Sequence, residues 1–186
     1  MRMNIGSKST LYPEPVLIIG TYDDDGTPNA MNAAWGCIHN DNEIYICLDP
    51  AHRTVENIKR SRAFTVSIAT EAFIKECDYF GIVSGYDVPD KVSKAGFHPI
   101  RSEKVNAPIF KELPMALECE LKRFTDDECE CVGRIIDISV DPSVLNGDGN
   151  VDPERMRPLI YDPMNHDYYG FGKKRGKAFS DGRSLR

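Results

Sequence analysis

The stretch MALECELKRF (115–124) alternates strictly, with Met115, Leu117, Cys119 and Leu121 on one side and Glu118, Glu120 and Lys122 on the other. Such a period of two describes a strand with one face in a core and one in water. After the short polar turn TDD comes ECECVGRIIDISV (128–140), a second long apolar strand. The two predict a long antiparallel hairpin. The apolar parity shifts near Gly133, which marks a candidate β-bulge. A chain built around such a ribbon must curl it or cover it, because a long flat pair exposes its edges.

The rest of the chain supplies the covering. PVLIIGTY (15–22) is a continuous apolar run ended by the turn DDDGTP (23–28), which leads into a second strand over about 29–38. EIYICLD (43–49) follows, then a short helix with Thr54 as its N-cap, then the strand AFTVSIA (63–69). EAFIKECDYFG (71–81) reads as a helix, since Phe73, Ile74, Cys77 and Phe80 recur at helical spacing. A short helix is expected near 90–95, and RPLIY (157–161) is one more strand in a loop-rich remainder. Six antiparallel strands with short helices favour a mainly β, small closed barrel over a parallel sheet.

At 186 residues, 41% hydrophobic and 28% charged, the chain matches one globular domain with a sizeable core. The net charge of −6 argues against a nucleic-acid partner. No apolar run is long enough to cross a bilayer and the start lacks a secretory signal, so a cytoplasmic location is expected, with no membrane partner. The six cysteines then stay reduced. None forms C-x-x-C and no metal is expected; Cys129 and Cys131, two apart, are read as sharing a strand face. Both common nucleotide loops, G-x-G-x-x-G after a strand and G-x-x-x-x-G-K-[ST], are absent.

Three segments carry the chemistry. GTPNAMNAAWG (26–36) offers little bulk, two amides and the only tryptophan. Small residues let a flat ligand lie against backbone, and the amides of Asn29 and Asn32 can read a ring edged with carbonyls and nitrogens. Tight sheet packing around a core tryptophan would use the same composition. HRTVENIKRS (52–61) opens a helix whose first N–H groups are free, with Arg53 beside them, as a phosphate site requires. SGYDVPDKVSKAG (84–96) sets Ser84 and Lys91 in a loop suited to clamping a ligand. No serine, cysteine or histidine constellation suggests a hydrolase, and no histidine is singled out as a base.

In this order, YPEPVLIIGTYDDDGTPNAMNAAWG, HRTVENI with AFTVSIA, and SGYDVPDKVSKAG resemble the flavoredoxin and flavin reductase family of FMN-binding split barrels. The resemblance covers about residues 12–140, the expected barrel, and weakens through the extension at about 141–186. It implies a six-stranded antiparallel Greek-key split barrel, a homodimer and non-covalently bound FMN. Carried over by motif, Asn29 and the backbone of Ala30, Met31, Asn32 and Ala33 would meet the ring, with Trp35 beside it. Arg53, Thr54 and Asn57 would serve the phosphate, and Ser84 and Lys91 the adjoining loop. Asn32 stands where the family has threonine or serine. The implied activity is a flavin reductase using NADH or NADPH. A carrier exchanging electrons with a redox partner protein, or an FMN-binding module without turnover, are the alternatives.

Overall fold

The computed structural model describes residues 1–185. In chain order the strands and helices are β1 (Glu14–Pro15), β2 (Leu17–Tyr22), β3 (Pro28–Ala33), β4 (Gly36–Asn40), β5 (Glu43–Cys47), α1 (Arg53–Ser61) and β6 (Ala63–Ile68). There follow α2 (Ile74–Ile82), α3 (Lys91–Lys94), β7 (Pro99–Arg101), β8 (Pro108–Phe110), β9 (Met115–Thr125) and β10 (Glu130–Val140). The last are α4 (Pro153–Met156), β11 (Leu159–Asp162) and β12 (Asp167–Gly170).

The main sheet has seven strands in the order β3-β2-β6-β9-β10-β5-β4. Its two edge strands, β3 and β4, are consecutive in the chain and joined only by Ala34 and Trp35. Consecutive strands can occupy opposite edges across so short a link only if the sheet curls round to meet itself. The result is a barrel split along the β3/β4 seam. The seam also accounts for the seventh strand, because the single strand expected over 29–38 is broken into two. Gly36 makes the crossing possible: a Cβ there would lie 2.7 Å from Leu17 Cδ1 and 3.3 Å from the Tyr45 carbonyl oxygen. The Cys47 N–H donates to the Trp35 carbonyl at 2.8 Å and pins the link.

Inside the barrel, Ile19, Ile46, Phe64, Val66, Cys119 and Cys131 are fully buried. Each large apolar side chain so placed contributes about 1.5–3 kcal/mol of transfer free energy. A second core on the outer face of β2 and β3 gathers Phe80 of α2, Phe97 and Phe110, with Phe80 edge-on to Phe97 at 5.1 Å between ring centroids. It fastens α2 and α3 to the barrel. In α2, Cys77 and Phe80 are buried as the helical spacing requires, but Ile74 is exposed. β11 pairs with β1 and with β12 in a separate three-stranded sheet; β12 carries too mixed a pattern to be expected from sequence.

The β9–β10 hairpin forms with its register shift between Val132 and Gly133, where the bulge was expected. Two expectations about it are corrected. Glu118 does not face water: it is 4% exposed and accepts a hydrogen bond from the Ser102 hydroxyl, which supplies the partner a buried carboxylate needs. Cys129 does not share a face with Cys131, because it sits in the turn at φ 53°, while Cys131 is in the barrel core. No helix among the described residues is long and apolar enough to cross a membrane.

Candidate functional site

Two adjoining cavities, of about 500 and 300 Å³, lie against the outer side of the seam and share Met31, Asn32, His52, Gly81 and Ile82 in their walls. The larger is floored by Met31–Trp35 and closed by the C-terminal end of β5, by Cys129 of the β9–β10 turn, and by Tyr161, His166 and Tyr168 of the β11–β12 hairpin. The smaller lies between the start of α1 and the loop leading to α3, and is lined by Arg53, Thr54, Ser84, Gly85 and Lys91.

The larger cavity is aromatic on one side and narrow in side chain on the other. Trp35 is 50% exposed, so it is not a core tryptophan, and the sheet-packing alternative for this segment does not hold for it. Asn32 donates Nδ2 to the Cys77 carbonyl at 3.0 Å, which ties β3 to α2. Beside it, the Tyr168 hydroxyl donates to Asp78 Oδ1 at 2.9 Å, and burial and that carboxylate push the phenol up. The Tyr161 hydroxyl lies 2.7 Å from His166 Nδ1. These aromatic and histidine groups were not assigned a role from sequence: they come from the loosely patterned tail, and only the fold brings them to the seam.

In the smaller cavity the helix start is arranged differently from expectation. The N-cap of α1 is His52, in extended conformation and with no side-chain cap bond. Thr54 is instead inside the first turn, with its Oγ1 turned inward to accept from Asn29 Nδ2 at 2.8 Å. Among the described residues the N–H groups of Arg53 and Thr54 have no acceptor, since the first bonds to His52 O come from Val55 and Glu56. The Arg53 guanidinium is engaged by three carboxylates: Asp23 at 3.1 Å, and Asp24 and Glu56 each at 3.0 Å. It braces the 23–28 turn against α1, with its charge offset by these partners.

The cation with charge to offer is Lys91. It is 2% exposed, and its Nζ donates to the Val83 carbonyl at 3.0 Å. Burial pushes its ammonium down to about 8, against the opposing pull of Asp23. Asn29 Oδ1 is buried without a partner, and a Cβ at Gly85 would lie 2.5 Å from it. Of the residues selected from sequence, Met31, Asn32, Ala33 and Trp35 line the larger cavity and Arg53, Thr54, Ser84 and Lys91 the smaller. Asn29, Ala30 and Asn57 lie behind these walls: Ala30 is packed in the outer core, and Asn57 donates to Asp23 and Thr21.

A small-residue floor with aromatic walls, joined to a pocket of unpaired N–H groups and a buried lysine, gives this split barrel room for a flat group beside a place able to hold an anion. The chain belongs to the flavin reductase-like family: the model for the flavin reductase like domain matches residues 9–169. Among solved structures it is similar to the flavoredoxin of Desulfovibrio vulgaris (Miyazaki F), with 38% identity, a TM-score of 0.94, and 98% of this chain and 100% of that one covered. It is also similar to a flavoredoxin from Methanosarcina acetivorans, at 28% identity and TM-score 0.90 with both chains fully covered. A Bacillus subtilis relative, the uncharacterized protein YdfE, is 23% identical over 94% of this chain and 92% of its own length.

Proposed function

We propose that this protein binds FMN non-covalently and works as an oxidoreductase of flavin reductase or flavoredoxin type. The observation that carries the reading is the junction of the two cavities, which sets a ring-sized slot beside an anion pocket. The donor set fits the cofactor. Arg53 N–H, Thr54 N–H, Ser84 and Lys91 suit a phosphate, and the missing side chain at Gly85 lets the 84–91 loop pack closely on Asn29 and Arg53 beside them. The backbone of Met31–Ala33 and the Asn32 amide suit the polar edge of the ring. Bound FMN supplies the two-electron chemistry.

The chain's own residues position, shield and gate. Trp35 and Tyr168 bound the slot and limit access to its outer face; Asn29 holds Thr54 so that the start of α1 faces the pocket. Electrons would enter from NADH or NADPH, or from a redox partner protein. Similarity to two flavoredoxins supports the second reading, a carrier with little nicotinamide turnover. We also propose a homodimer, because Trp35 and Ile38 at the seam and Ile82 at the end of α2 leave large apolar groups exposed.

The first test is titration of the purified protein with FMN and with riboflavin. Tighter binding of FMN than of riboflavin is expected, and equal affinity would remove the phosphate pocket from the reading. Anaerobic mixing with NADH and with NADPH then separates the two roles: rapid bleaching marks a reductase, and slow bleaching marks a carrier. Light scattering that shows a monomer binding FMN tightly would overturn the dimer.

A further inference from the structure

The six cysteines fall into different environments. Cys77, Cys119 and Cys131 are buried, and burial pushes all three thiols up, Cys77 and Cys131 to about 12. Such thiols are inert packing groups. Cys47 and Cys129 are half-buried, and both line the larger cavity.

Their placement follows from the backbone. Ile44 and Ile46 of β5 point into the barrel core, so Cys47 points outward. Cys47 stands opposite Glu130 in the β5–β10 pair, and the next N–H, that of Leu48, donates to the Cys129 carbonyl at 2.8 Å. Regular alternation would send Cys129 to the core side with Cys131. Its left-handed φ of 53° breaks the alternation, and Cys129 lines the same cavity as Cys47. A turn residue at positive φ is ordinarily glycine or asparagine. Cys129 thus flanks the residue opposite Cys47, and the Leu48–Cys129 backbone bond holds the two chain segments together beside both cysteines.

We infer that Cys47 and Cys129 are a redox-active dithiol pair that reduces a small organic disulfide entering the larger cavity. The Cys129 thiolate attacks one sulfur of the substrate; a new S–S bond forms, the substrate S–S bond breaks, and the second sulfur leaves as a thiolate that takes up a proton. The Cys47 thiol then loses its proton and attacks Cys129 Sγ. The Cys47–Cys129 bond forms, the mixed disulfide breaks, and the second product thiol departs with a proton. Two electrons pass from the pair to the substrate, and an external dithiol restores the pair by the reverse exchange. Burial and the neighbouring Cys129 both push the Cys47 thiol up, which suits it to act second, once a disulfide sulfur has been brought against it. The exchange needs no flavin, although it uses the cavity proposed for the flavin ring; run on the flavin-free chain, its outcome does not depend on whether FMN binds.

The test is anaerobic incubation of the full chain with bis(2-hydroxyethyl) disulfide, followed by thiol titration and a non-reducing peptide map. An intrachain Cys47–Cys129 link is expected, with two equivalents of mercaptoethanol released per chain. Cys47→Ser should accumulate a mercaptoethanol adduct on Cys129, and Cys129→Ser should slow release at least about ten-fold. Cys37→Ser, which removes the exposed thiol of β4, should leave the link intact. Modification confined to Cys37, separate adducts on Cys47 and Cys129 with no link between them, or no reaction would each overturn the proposal. Should a serine variant fail to fold, the map of the unmodified chain still decides.

Discussion

Lys91 and Arg53 are both basic residues beside the smaller cavity, but the structure gives them different tasks. Lys91 is buried with one carbonyl acceptor, whereas Arg53 is saturated by carboxylates. Lys91→Met should therefore weaken FMN about 10- to 100-fold and leave riboflavin nearly unchanged, the loss of one charge-assisted hydrogen bond. Arg53→Ala should weaken both ligands in parallel and lower stability by about 1–3 kcal/mol, because it removes the charged partner of the buried Asp23 and leaves it only the Asn57 amide. Parallel titrations with melting curves distinguish these outcomes. The pH dependence has a definite sign. The Lys91 ammonium in the fold is depressed to about 8 from its ordinary 10.5, so below 8 it is charged and available to a phosphate. FMN affinity should fall as pH rises through about 8 while riboflavin affinity does not. Over the window from 8 towards 10.5 the unfolded chain holds the extra proton, so stability of the unliganded protein should rise with pH, and Lys91→Met should flatten both trends. Trp35→Ala, at a half-exposed position, should change stability by no more than about 0.5 kcal/mol while altering the absorbance of bound flavin.

Among the elements, the β9–β10 hairpin was the most legible, because its alternation and its parity shift each have one structural meaning. The bulge at Gly133 is enforced by the core: the Phe64 ring occupies the space a Cβ there would take. Gly133→Ala should cost about 1–3 kcal/mol by overpacking, read from denaturant midpoints. Gly147→Ala, where a Cβ meets nothing within 4 Å, is the control and should be close to neutral. Other features were hidden from the sequence for physical reasons. Glu118 has the pattern of a solvent-facing residue, and only the distant Ser102 makes its burial tolerable. Thr54 has the chemistry of a cap, but Asn29 recruits its hydroxyl from the other side. The break at Ala34–Trp35 depends on which strands become the sheet's edges, a property of the closed barrel that no local period encodes. The walls supplied by Tyr161, His166 and Tyr168 were illegible for the same reason: tertiary contact alone brings the tail to the seam.

Across the whole molecule, both cavities are assembled from segments that no single stretch of chain contains. The small-residue strip, the helix start and the 84–91 loop were readable as three motifs, and the fold places them side by side. The seam also bears on the time course by which the chain becomes native. β2 and β3 are joined by a tight turn and β9 and β10 by another, so each ribbon can zip up locally. β5, by contrast, must find β10 across most of the intervening sequence, and that distant pairing brings β4 to the far edge. Such long-range closures carry the largest loop entropy and come slowly. The slot beside Trp35 does not exist until that closure is made. During refolding from denaturant, recovery of flavin quenching should lag behind the far-ultraviolet signal of the ribbons, making the bound ligand a clock for the last pairing of the barrel.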